Sequence, residues 1–113
     1  MPIHPLVALA AALLAASGAQ AQDAAAGGMA FLQCADCHSP GASDGVGPGL
    51  KGVVGRRAGS KAGFAYSPAL AKSTLAWNDA ALDAFLADPA KARPGTSMAC
   101  GGVADPKGRC YLM

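Results

Sequence analysis

Two thiols and an imidazole share one short stretch, Cys34-Ala35-Asp36-Cys37-His38, and nothing else in the chain constrains its architecture as strongly. Wound helically, the stretch sets its cysteines about one turn apart, so both sulfurs reach one edge of a single rigid body while the next residue projects beneath it. The motif therefore asks for a bulky partner group. The rest of the chain needs one too. From Ser39 to Gly63 the sequence is dense in Gly, Pro and Ser, including Gly45-Val46-Gly47-Pro48-Gly49, and it shows no sustained period, which predicts an irregular loop region.

Helical signals surround that region. A helix is expected from about Ala24 to Cys34, with Met29, Phe31 and Leu32 as its apolar contacts. Ser67-Pro68 predicts a short helix over Ala69–Lys72, with the serine as cap and the proline in the first turn. Asn78-Asp79 opens a stronger one, where Leu82, Phe85 and Leu86 share a face and Asp88-Pro89 ends it. Asp105-Pro106 starts a last helix, with Gly108 close behind. Three or four short helices joined by long Gly/Pro-rich loops cannot fill their own centre, and a domain of at most 113 residues usually needs a staple.

Residues 1–21 carry no Asp, Glu, Lys or Arg and run through Leu6-Val7-Ala8-Leu9 and Leu13-Leu14-Ala15 to Ala19-Gln20-Ala21. This predicts a secretory signal peptide at 1–21 cleaved after Ala21 and a domain over 22–113, the alternative being an uncleaved anchor. No later apolar run is long enough to span a bilayer, so no stable membrane insertion is expected after cleavage. Export implies an oxidising compartment. A formal net charge of +2 is too small to point to nucleic acid.

In an exported chain the four cysteines read first as two disulfides. The close spacing of the first pair, with His38 directly after it, argues otherwise. A thioredoxin-like pair needs a strand–helix context that is missing here, and a zinc site is poorly served when His38 is the one histidine beyond the leader. The spacing matches the sequence that attaches haem c, in which two thiols add to the vinyl groups and the adjacent histidine reaches the iron. The second axial ligand then comes from Met, Lys or Cys, or is absent. Met98, in the turn-rich Pro94-Gly95-Thr96-Ser97-Met98, is the best placed, since such a loop can bring a thioether to the open face of the ring. Met29 and terminal Met113 are expected to pack or fray.

With these motifs in order, the chain resembles the soluble class I cytochromes c of mitochondria and bacteria. The resemblance runs from about Gly27 to Met98 and rests on Cys34-Ala-Asp-Cys37-His38, Gly47-Pro48-Gly49-Leu50, Gly55-Arg56-Arg57, Gly63-Phe64-Ala65-Tyr66, Trp77 and Pro94-Gly95-Thr96-Ser97-Met98. It implies an all-α class I cytochrome c fold, with short helices and long loops wrapped around one covalently bound haem. It implies that the Pro48 carbonyl accepts a hydrogen bond from His38 Nδ1–H, and that Arg56, Tyr66, Trp77 and Thr96 surround the haem propionates, whose burial demands donors. Leu70, Phe85 and Ser97 stand where the family often has Asn, Tyr and Lys. The family also continues past Ala104-Asp105-Pro106-Lys107 into a long amphipathic helix, whereas here Gly108–Met113 offers barely two turns. Reduced cover for Phe31 is expected, with a Cys100–Cys110 disulfide or two free thiols as the alternatives.

The function implied is that of a monomeric, soluble single-haem electron carrier in the periplasm, exchanging one electron with a bc-type complex, a terminal oxidase or a periplasmic dehydrogenase, with no catalytic residues. The competing readings are a haem peroxidase or gas-binding sensor with a labile Met ligand, and an inactive, C-terminally shortened cytochrome. Five lysines, Lys51, Lys61, Lys72, Lys91 and Lys107, give only a thin basic face for docking. If the haem is the staple, Cys37→Ala should abolish full attachment and with it cooperative folding; a compact variant with a sharp urea transition would show that the chain folds without it.

Overall fold

Asp23, Asn78, Asp88 and Asp105 each turn a side-chain oxygen back onto a backbone N–H, and in doing so start four of the five helices among the described residues. The computed structural model describes residues 23–113; the leader expected at 1–21 lies outside the described residues. Helix α1 spans Ala24–Phe31, α2 Pro68–Ala71, α3 Asp79–Ala87, α4 Pro89–Ala92 and α5 Pro106–Leu112. The capping distances run from 2.9 Å at Asn78 to 3.2 Å at Asp88. In α2, α4 and α5 a proline fills the first helical positions, where its missing N–H has no partner to lose.

Several boundaries differ from the sequence expectations. Helix α1 stops at Phe31 rather than Cys34, because the amides that follow mix three- and four-residue reaches: Leu32 N–H to Met29 O and Cys34 N–H to Phe31 O, but Ala35 N–H to Phe31 O. The turns continue to His38, whose N–H donates to Cys34 O, four residues back, at 2.9 Å. Ser67 does not cap α2 with its hydroxyl; its carbonyl accepts from Leu70 N–H and Ala71 N–H instead. Asp88-Pro89 ends α3 as expected, yet the same pair starts α4, since an extended Asp88 frees its carboxylate for Lys91 N–H.

Helix α5 packs across both α1 and α3. Gly27 makes the first crossing possible: it is buried, and a Cβ there would overlap the Tyr111 carbonyl. At the second, Arg109 Nε donates to Asp83 Oδ1 at 2.8 Å, and its Nη1 reaches the Val103 and Ala104 carbonyls at 2.8 and 3.1 Å. One guanidinium thus ties α5 to α3 and to the loop before it. Across the molecule, Gly55–Ala58 and Leu75–Trp77 run antiparallel, with Gly55 N–H to Trp77 O at 2.8 Å, Trp77 N–H to Arg56 O at 2.9 Å and Ala58 N–H to Leu75 O at 2.8 Å. This short ladder sets Arg56 beside Trp77.

Among the described residues the buried apolar core is Ala58, Trp77, Leu82 and Phe85, with the Trp77 and Phe85 rings 4.9 Å apart. Met98 and Met113 pack against it. Met113 was expected to pack or fray at the terminus, and the crossing of α5 over α1 and α3 is what carries it inward. Met29, expected to contribute an apolar contact, is 70% exposed, and Leu32 is 63% exposed. No disulfide joins Cys100 and Cys110, so of the two expectations for them the structure has the unpaired one.

Two outcomes follow from this packing. Gly27→Val should lower the stability of the protein by about 2 kcal/mol, read as a reduced urea midpoint, because the obstructing atom belongs to backbone and cannot rotate away. Thiol titration after unfolding should find Cys100 and Cys110 both reactive; neither reacting would establish a bridge between them.

Candidate functional site

The tight turns after α1 and the loop returning at Gly47 bring the cysteine motif against the small core, and between them lies a cleft of about 550 Å³, within the roughly 300–1,000 Å³ typical of cofactor pockets. Cys34, Cys37 and His38 line it on the side of α1, and Pro48 closes it there. Arg56, Tyr66 and Trp77 come from the short ladder and the loop before α2, and Thr96 and Met98 from the loop after α4. All nine candidate residues thus border one cavity. The remaining wall is largely apolar, with Val53, Leu70, Leu82 and Phe85 from the core side.

His38 is held firmly. Its Nδ1 lies 2.8 Å from Pro48 O, and since a carbonyl only accepts, Nδ1 carries the proton and Nε2 keeps a free lone pair. Gly47 explains how the loop approaches so closely, because a Cβ at that position would overlap the imidazole. Its N–H also donates to Cys37 O at 2.8 Å. That hydrogen bond fixes the ring in tautomer and place.

Polar side chains at the rim have partial satisfaction only. Arg56 donates from Nη1 to Lys51 O at 3.1 Å and from Nη2 to Gly49 O at 3.5 Å, leaving further guanidinium donors. Tyr66 Oη accepts from Lys61 N–H at 3.3 Å and keeps its own proton to give. Thr96 Oγ1 accepts from Met98 N–H at 3.3 Å, which couples the hydroxyl to the backbone of the methionine. Next to Tyr66, Ser67 Oγ is buried without a hydrogen-bond partner, a state that folded proteins rarely tolerate. Read only as a helix cap from sequence, it makes no cap bond and is not among the residues that line the cleft. These features fit a flat, mainly apolar ring carrying acidic substituents at one edge.

Sequence reasoning also missed two residues that border the cleft. Met113 lines it together with Met98, so two thioethers have access. Cys100 lines it too, which explains why it does not meet Cys110 on α5. Neither placement has a local signal, because each depends on how α5 and the loop before it fold back.

No protein-family profile matches the chain. Individual proteins do. It is 47% identical over 85 residues to cytochrome c2 of Rhodoblastus acidophilus, covering 74% of this chain and 79% of that one. To cytochrome c2 of Rhodomicrobium vannielii it is 43% identical over 106 residues, 92% of this chain and 85% of that one. Among solved structures, cytochrome cH from Methylobacterium extorquens matches with a TM-score of 0.76 at 50% identity, over 80% of this chain and 92% of that one. Similarity at this level over most of each chain, joined to a thiol pair and an oriented imidazole on one apolar cleft, establishes that the chain belongs to the class I c-type cytochromes, electron carriers rather than enzymes, and binds haem c covalently through Cys34 and Cys37.

Proposed function

We propose that His38 and Met98 are the axial ligands of the haem iron, and that the protein carries single electrons between redox partners in the space outside the cytoplasm. The observation that carries the ligand assignment is the His38 Nδ1 to Pro48 O hydrogen bond of 2.8 Å: it leaves Nε2 as the one free donor of an imidazole on the haem cleft. Haem c supplies an iron that cycles between ferric and ferrous states. The chain supplies everything that makes the cycle easy to repeat. Cys34 and Cys37 hold the ring, His38 and Met98 close both faces, and the apolar wall of Val53, Leu70 and Phe85 keeps water from the metal. With both faces closed there is no position for peroxide or a diatomic gas, which is the argument against the enzyme and sensor readings.

Arg56, Tyr66, Trp77 and Thr96 are the donors assigned to the propionates. The apolar, uncharged run of residues 1–21 supports export through a cleaved leader, and among the described residues no helix is long and apolar enough to cross a membrane. A periplasmic location and partners such as a bc-type complex, a terminal oxidase or a periplasmic dehydrogenase fit this reading, as does a monomeric carrier.

Carbon monoxide separates the two methionines. Ferrous protein should bind it poorly, Met98→Ala should bind it readily with the haem still covalently attached, and Met113→Ala should behave as the parent. Ready binding by the parent would overturn the closed six-coordinate reading, and opening by Met113→Ala alone would move the ligand there.

A further inference from the structure

The Pro48–Gly49 peptide unit is held at both ends. Its carbonyl accepts from His38 Nδ1 at 2.8 Å, and its N–H donates to Asp44 Oδ1 at 2.9 Å. Because a peptide unit is planar and its C=O and N–H point in opposite directions, fixing the N–H fixes the direction of the oxygen that His38 meets. Asp44 is fixed in turn. Lys61 Nζ reaches the same Oδ1 at 2.7 Å, and Lys61 N–H donates to Tyr66 Oη at 3.3 Å, anchoring the lysine to a residue of the haem cleft.

We propose that Asp44 is a positioning residue for the axial imidazole, acting with Lys61 through the Pro48–Gly49 peptide to orient and polarise the carbonyl that holds His38. The proposal rests on the reading of His38 as an iron ligand. Partners of a ligating histidine set its orientation and raise its basicity, and a carboxylate on the far N–H adds to this, since hydrogen bonds in a chain polarise one another. The hydrogen bonds from Lys61 and Gly49 hold the Asp44 carboxyl below its ordinary value, so it accepts from Gly49 N–H as a carboxylate paired with Lys61. The Lys61–Asp44 pair is partly exposed, and such pairs contribute little to stability. Its consequence is directional, transmitted to the ring along one rigid plane.

The test uses the ferrous holoprotein, its Asp44→Ala, Asp44→Asn and Lys61→Gln variants, and two readouts: exchange of the His38 ring N–H by NMR, and the midpoint potential. Asp44→Ala should speed exchange by about tenfold, the equivalent of one ordinary hydrogen bond. It should also raise the potential, because a less basic imidazole stabilises the ferric iron less. Asp44→Asn keeps an oxygen for Gly49 N–H, so it should restore most of the protection, and Lys61→Gln should fall between the parent and Asp44→Ala in exchange but not raise the potential, since it removes a cation. Equal potential shifts in Asp44→Ala and Asp44→Asn with parental exchange in both would mean that Asp44 acts only as a charge, and would overturn the proposal alone. His38 ring protons lacking the large upfield shift of a haem-bound imidazole in the parent would overturn the ligation reading and this proposal with it.

Discussion

Four apolar residues, Ala58, Trp77, Leu82 and Phe85, form the buried core of the described chain, and that is too little apolar surface to order the long loops around them. The fold therefore depends on the haem c that Cys34 and Cys37 bind, which adds a large apolar face at the place where helices and loops converge. Covalent attachment makes that contribution permanent. The loops then take their shape from the ring as much as from one another, and their Gly/Pro richness becomes an asset because they can follow a flat surface without repetitive structure.

The polar contacts around the cleft are arranged to lead inward. Gly47 lets backbone press against His38, the Arg56–Trp77 ladder sets two rim donors side by side, and Met98 N–H leans on Thr96 Oγ1. Each holds a side chain in place around the cleft. Small displacement on electron transfer follows from such preorganisation, since groups already fixed have little left to rearrange. On the opposite side, Arg109 performs a purely structural task, joining α5 to α3 and to the Val103–Ala104 carbonyls, so that the terminal helix can cover α1 despite its seven residues.

Much of the site was legible because its signals are local. The Cys34–His38 spacing specifies an attachment geometry within one turn of chain, and Asn78, Asp88-Pro89 and Asp105-Pro106 specify helix ends through hydrogen bonds that span three residues or fewer. The Pro48 carbonyl could be paired with His38 only by resemblance, because it lies ten positions further along an irregular loop. Ser67 shows the limit of local reading: Ser-Pro is a fair cap signal, yet the hydroxyl makes no cap bond and is buried.

The sequence by itself determined the covalent haem motif, the all-α class and the positions of most helix starts, since these are set by covalent spacing and short-range hydrogen bonds. Tertiary structure alone decided that Met113 and Cys100 face the cleft, that Cys100 and Cys110 stay apart, and that Asp44 and Lys61 meet across an irregular loop to grip the Pro48–Gly49 peptide. Those contacts join residues whose separation along the chain carries no periodic or spacing signal. They exist only once α5 has crossed α1 and the loops have closed on a common centre.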